Sequence, residues 1–229
     1  MAAAPSDPVR ARHPVEAEAD GGDPVSGRAA NPTLAHYSAH AALYADHLAD
    51  HDSVGARHRF LSAIDKQAPA ILDLGCGAGR DLAGFRDAGA MAIGADGSPA
   101  LAAIATQQTG CAVHVLDLLS TDPAPWMDHS FDGIWAHHLF FHLPEFALPH
   151  ILGRVGNWLR SGGVFYACDP TGDGMEGMAA DGRYLAFRRP QSWKAAAKRA
   201  GFTLLADWRR PEGLPRHRQE WLATLWRRL

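Results

Sequence analysis

The chain has 229 residues, 47% of them hydrophobic and 21% charged, with a formal net charge of -3 at pH 7; these values are ordinary for one soluble globular domain. That charge offers no polyelectrolyte attraction to nucleic acid. Three cysteines, an odd number without metal-ligand spacing, argue against a disulfide framework or a zinc site, and no apolar run approaches the roughly 20 residues of a membrane-spanning helix.

Residues 1–30 are rich in Ala, Pro, Gly and acids and lack the continuous hydrophobic stretch of a secretion signal, so they read as a disordered leader on a cytoplasmic protein. From Asn31 the texture changes, and residues 31–67 read as a helical lid on the domain that fills residues 31–229. Pro32 opens a helix in which Tyr37 and Tyr44, seven apart, share one face. A second helix over 51–66 turns Phe60, Leu61 and Ile64 inward.

Residues 71–81, ILDLGCGAGRD, form the most informative segment: an apolar run ending in Asp73 breaks into alternating glycines and then a helix. Glycines at 75, 77 and 79 remove Cβ atoms from the turn, so a ligand can lie on backbone amides at a helix N-terminus. Arg80 and Asp81 are equally suited to capping that helix. Helix 80–88 leads to a strand at 90–96 (AMAIGAD), whose final Asp96, followed by Gly97, can accept both hydroxyls of a ribose. Helix 99–108 leads to a strand at 111–117 (CAVHVLD), ending in Asp117 and followed by Leu118, a pair that suits an adenine edge. A strand at 131–137, a helix at 145–159 and a strand at 163–169 continue the alternation, which builds a parallel sheet with helices on both faces. A helix at 191–200, closed by Gly201, precedes two closing strands at 202–208 and 219–226.

Taken together, the blocks at 71–80, 94–101, 115–118 and 131–144 (FDGIWAHHLFFHLP), with the turn LRSGGVFY at 159–166, resemble those of the class I S-adenosylmethionine-dependent methyltransferases over residues 33–229. The resemblance implies an α/β, Rossmann-like fold with a mostly parallel seven-stranded sheet and an antiparallel last strand. It implies S-adenosyl-L-methionine as cofactor and a small-molecule methyl acceptor, with no nucleic-acid or membrane partner. The turn spaces its glycines Gly-x-Gly-x-Gly rather than Gly-x-Gly-x-x-Gly, which favours this cofactor over a nicotinamide dinucleotide.

On this reading the cofactor-binding residues are Tyr37, Asp73, Gly75, Gly77, Gly79, Asp96, Gly97, Asp117, Leu118 and, through its backbone, His137. Tyr37 either lids the pocket or merely covers the sheet. His137 and His142 are candidate proton acceptors, since an unperturbed imidazole titrates near neutrality, although the family's residue at the position of His142 commonly packs. A metal is not expected: His137 and His138, being adjacent, diverge from an extended strand. Residues 169–178 read as a flexible acidic loop, followed by DGRY at 181–184 before the next helix. Asp169, Arg183 and Tyr184, with His138, are acceptor contacts, and Tyr184 is also a catalytic candidate; the alternative is a surface connection. The basic residues from Arg183 to Arg228, Arg216 and Arg218 among them, read as solvated faces. A catalytically silent scaffold on the same fold is the second reading. Oligomeric state is not legible.

Overall fold

A computed structural model describes residues 31–48, 53–212 and 220–229. The leader at 1–30, the first two residues of the expected 51–66 helix, Gln219, Arg216 and Arg218 lie outside the described residues.

The lid region forms two short helices rather than one, α1 (Pro32–Ala39) and α2 (Ala41–Leu48), which meet at His40. Asn31 caps α1 by accepting the Thr33 N–H, and Tyr37 and Tyr44 still face each other across the junction, ring centroids 4.7 Å apart. Helix α3 (Val54–Ser62) buries Phe60 fully, while Leu61 and Ile64 pack at the edge of the same cluster. It is shorter than expected because Ala63 closes it with amide bonds back to Arg59 and Phe60.

The alternating core then runs β1 (Ala70–Leu74), α4 (Arg80–Asp87), β2 (Met91–Asp96), α5 (Pro99–Thr109), β3 (Val113–Val115), β4 (Phe131–His137), α6 (Leu148–Trp158) and β5 (Leu159–Pro170). Strand β3 is an edge strand of three residues, shorter than expected. Residues 145–147 form a separate 3-10 turn before α6, after Pro144. The 169–178 segment is not a loop throughout: β6 (Met175–Met178) and β7 (Tyr184–Phe187) pair as an antiparallel hairpin, turned by Asp181 and by Gly182 at φ +84°. Helix α7 (Pro190–Arg199) and strands β8 (Phe202–Arg210) and β9 (Trp221–Arg228) complete the described chain.

The main sheet has the order β3-β2-β1-β4-β5-β9-β8. Its first five strands are parallel, and β9 runs antiparallel between β5 and β8. Side-chain alternation divides the core. Leu72, Ile134, Phe165 and Trp226 face α6 and α7; Ile71, Trp135, Tyr166 and Cys168 face α3 and α4. Trp135 stacks on Tyr166 at 3.7 Å, edged by Phe60 and Phe85. Strand order reverses between β1 and β4, the switch point at which open α/β sheets bind ligands beyond their carboxyl ends.

Candidate active site

At that switch point lies a cavity of about 1300 Å³. A pocket for one small ligand measures roughly 300–1,000 Å³, so this one has room for two. The glycine turn forms its floor. Gly75, Gly77 and Gly79 have φ of +73°, +54° and +93°, a region closed to most L side chains. The turn is anchored to β2, because the Gly75 and Cys76 amides donate to the Ala95 carbonyl and the Gly77 amide donates to Asp96 Oδ2 at 2.9 Å. Asp96 Oδ1 accepts from the Ser98 amide at 2.8 Å. Burial pushes the Asp96 carboxyl up against the pull of these two amides, and lone pairs remain on both oxygens for a ligand. Asp117 and Leu118 form the wall beyond β3, with Asp117 Oδ1 accepting the Leu119 amide.

Asp73 stands at the end of β1 with 2% of its surface exposed. Its Oδ2 has no hydrogen-bond partner among the described residues, yet the residue lines the cavity. Burial first, then the charges of Asp81 and Asp96, drives its carboxyl well above the ordinary range. A buried carboxylate oxygen without a partner is costly, and a cationic ligand group at this place would remove that cost.

Asp81 does not cap α4; Gly79 stands at the cap position without a side-chain bond. Asp81, Leu82 and Phe85 share the helix's inward face, and Asp81 gathers donors from three elements. It accepts from Ser53, from Arg57 at 2.5 Å, from Arg80 at 2.8 Å, from the Trp135 indole at 3.1 Å and from His137 Nδ1 at 3.1 Å. Burial alone would raise its pKa, but His137 and Arg80 hold it well below the usual range. Burial, opposed by Asp81, lowers the His137 pKa. With Nδ1–H donating to Asp81, its Nε2 accepts from Arg210 Nη1 at 3.2 Å.

The lid and the hairpin meet over the cavity. Tyr37 donates its hydroxyl proton to His142 Nε2 at 2.7 Å, and His142 Nδ1–H donates to the Tyr184 carbonyl at 2.8 Å. Both ring nitrogens of His142 are thereby engaged, and burial lowers its pKa to about 4. In this arrangement neither ring nitrogen is left for an acceptor proton, and the ring holds Tyr37 in place. Thr33 accepts the Tyr184 amide, Ser38 bonds Ser98, and Leu34 packs on Gly97, where an added Cβ would lie 2.4 Å from Leu34 Cδ2. Arg183, 7% exposed, lines the cavity beside Tyr37 and is paired with Asp181 at 2.7 Å.

Three expected site residues lie elsewhere. Gly79 faces away from the cavity, where a Cβ would sit 2.6 Å from Thr109 Cγ2, so its role is the close packing of α4 on α5. Asp169 borders a separate small void with Phe140 and Arg188 and accepts the Phe141 amide; burial, opposed by that amide and by Arg188, pushes it up to about 7. Tyr184 serves through its backbone, and its hydroxyl, raised to about 12 by burial and then by Glu176, belongs to the hairpin rather than the cavity. Conversely, Leu34, Arg80, Asp81, Arg210 and Trp221 line the cavity without having been assigned to it. The signal for Asp81 was an acid four residues before Phe85 on an inward helix face.

A family model described as a methyltransferase domain matches residues 45–207. No curated protein matches the chain. Among solved structures the chain is similar to the Burkholderia thailandensis 1,6-didemethyltoxoflavin-N1-methyltransferase, crystallised with 1,6-didemethyltoxoflavin and S-adenosylhomocysteine: 20% identity, 86% of this chain and 87% of that one, TM-score 0.70. It is similar also to a TehB-like SAM-dependent methyltransferase from Corynebacterium glutamicum, with 23% identity over 83% of this chain and 99% of that one, TM-score 0.65. A third is a structure of a complex of the Haloferax volcanii Trm112 methyltransferase activator with its partner protein, with 19% identity over 85% and 96%, TM-score 0.68. At these identities the likeness establishes the fold.

Proposed function

The chain belongs to the class I S-adenosylmethionine-dependent methyltransferases, and from that premise we propose that it transfers a methyl group to a nucleophilic N, S, O or related atom of a small metabolite. The observation that carries the proposal is Asp73 Oδ2 in the cavity wall, which has no hydrogen-bond partner among the described residues. An ammonium group fits it, as a ribose diol fits Asp96 at the next strand end. S-adenosylmethionine presents both, and when bound it supplies a methyl group already activated by a positive sulfur.

The protein's own part is orientation. Asp73 takes the amino group, Gly75 and Gly77 bring backbone against the amino-acid portion, Asp96 and Gly97 hold the ribose, and Asp117 with Leu118 frames the adenine. Helices α1 and α2, within the 31–67 lid, close over these contacts. Tyr37, fixed by His142, excludes water there. A lid pinned at Tyr37, Leu34 and Ser38 fits a reaction whose main need is alignment, where positioning lowers the barrier most. The acceptor occupies the rest of the cavity, between Arg183 on one side and His137, His138 and Trp221 on the other.

The surplus of volume over a single ligand supports a small acceptor. That the protein acts in the cytoplasm, without a nucleic-acid partner, belongs to the same proposal and rests on composition alone; among the described residues, no helix is long and apolar enough to cross a membrane. The test is release of S-adenosylhomocysteine in the presence of small amines, thiols, imidazoles and heteroaromatic nitrogens. Acceptor-dependent release that falls sharply in Asp96→Ala supports the proposal. Tight cofactor binding with no release across all four classes points instead to the silent scaffold.

A further inference from the structure

His137 and Cys168 are register partners on the adjacent parallel strands β4 and β5, so both side chains rise from the same face of the sheet. A regular strand would send His138 to the opposite face. The chain instead turns at His138, whose φ is +60°, a conformation uncommon for a non-glycine residue and one that concentrates at functional sites. Its amide donates to the Cys168 carbonyl at 2.8 Å, and its ring comes back to 4.5 Å from that of His137. The divergence expected of adjacent histidines therefore does not occur. One ligating atom from each of His137, His138 and Cys168 lies within 4.8 Å of the other two.

We propose that these three residues bind a thiophilic divalent cation of the zinc type at the acceptor end of the cavity. Tetrahedral zinc, with bonds of about 2.0–2.1 Å to nitrogen and about 2.3 Å to sulfur, sets its ligand atoms roughly 3.3–3.6 Å apart. The three groups need only draw in by about 1 Å each or less, well within side-chain adjustment. The outer arrangement is also in place. His137 donates Nδ1–H to Asp81 at 3.1 Å, the carboxylate–histidine pairing that orients a metal-bound imidazole and leaves Nε2 as the ligand. At that Nε2 stands the guanidinium of Arg210, at 3.2 Å. A cationic side chain thus already occupies the lone pair a metal would take, and Arg210 and the metal exchange with each other. As the metal–sulfur bond forms, the Cys168 thiol gives its proton to solvent. The fourth position opens onto the cavity, which His137, His138 and Trp221 line, and there a water or a soft acceptor atom completes the tetrahedron. The metal would be held by side chains, whereas the cofactor contact expected of His137 is through its backbone, so the site does not depend on bound S-adenosylmethionine.

The experiment is titration of the metal-stripped full chain with cobalt(II), read by the thiolate-to-metal charge-transfer band and the visible bands of tetrahedral cobalt, followed by displacement with zinc. The expected result is one equivalent bound, loss of the charge-transfer band in Cys168→Ser, and affinity at least tenfold weaker in His138→Asn. Asparagine tolerates the left-handed backbone at that position, so this variant keeps the fold. Arg210→Met is expected to bind at least tenfold more tightly, and thermal melting of each variant confirms folding. Absence of the charge-transfer band in the folded wild-type chain overturns the proposal. So does a band that survives in Cys168→Ser, or an affinity indifferent to His138→Asn. None of these readouts requires S-adenosylmethionine, so its failure to bind would be seen separately.

Discussion

Replacing Asp73 with Asn is expected to move affinity and stability in opposite directions. The side chain is almost fully buried, its Oδ2 has no hydrogen-bond partner among the described residues, and burial together with Asp81 and Asp96 raises its pKa well above the ordinary value. An acid whose folded pKa exceeds its unfolded value lowers stability at every pH above the unfolded value, because the unfolded chain ionises more readily. The near-isosteric amide removes that charge, so the melting temperature at pH 7 should rise; each 1 kcal/mol gained corresponds to about 2–4 °C for a chain of this size. Binding should weaken, because a charge-assisted hydrogen bond contributes about 1.5–3 kcal/mol. At 1.4 kcal/mol per decade this is roughly 10- to 150-fold in Kd. Calorimetric titration with S-adenosylhomocysteine, which carries the amino group, and with adenosine, which lacks it, separates the contact from general damage. The expected pattern is a weakened S-adenosylhomocysteine complex, an unchanged adenosine complex and a higher melting temperature. Affinity for S-adenosylhomocysteine within twofold of wild type, or a fall in melting temperature alongside it, would show that Asp73 does not hold the amino group.

His142 should impose a pH dependence on stability. With its folded pKa lowered to about 4 from an ordinary value of 6.5, the unfolded chain binds a proton between these values that the folded chain refuses. Stability is therefore lost as pH falls from 6.5 towards 4, at up to about 1.4 kcal/mol per pH unit and on the order of 3 kcal/mol in all. Urea melts from pH 4.5 to 7 should show this slope flattened in His142→Gln, and an identical slope in both proteins would contradict the assignment. Asp81→Ala strands Arg57, Arg80, Trp135 and His137 around an empty acceptor position. Breaking a buried charge network in this way costs about 3–5 kcal/mol, and chemical denaturation showing less than 1 kcal/mol would exclude that role. Gly97→Val drives a side chain into Leu34 and should lift α1, lowering S-adenosylhomocysteine affinity by more than tenfold with the far-ultraviolet circular dichroism preserved. Wild-type affinity would show that the lid does not need its seat on Gly97.

What the sequence disclosed was local and periodic. The run from Ile71 to Asp81, the acid at the end of each early strand and the alternation of periods give β1 through β5 with their helices, because each depends on residues within a few positions of one another. That β9 runs antiparallel came only through the family resemblance, and its place between β5 and β8 only from the structure. The hairpin at 175–187 is not legible in the sequence although Asp181-Gly182 is a turn signal, since the flanking MEGM and YLAF segments are too short to show a clear alternation. Side-chain partnerships across long separations were not legible: Tyr37 with His142, or Asp81 with Ser53 and His137, exist only once the sheet brings the elements together. Gly79 illustrates the other limit. Its positive φ follows from the turn, but which neighbour it makes room for, the cavity or α5, depends on the packing of α4. His138 depends on one dihedral angle, and that angle reverses the direction expected of its side chain.

The methyl transfer proposed for this cavity requires that it hold S-adenosylmethionine. The most direct test is calorimetric titration of the purified chain with S-adenosylmethionine and S-adenosylhomocysteine, with nicotinamide dinucleotides as controls. Saturable binding of the first two in the micromolar range, with no heat from the dinucleotides, is the predicted result. No binding of either sulfur compound, or tighter binding of a dinucleotide, would contradict the account.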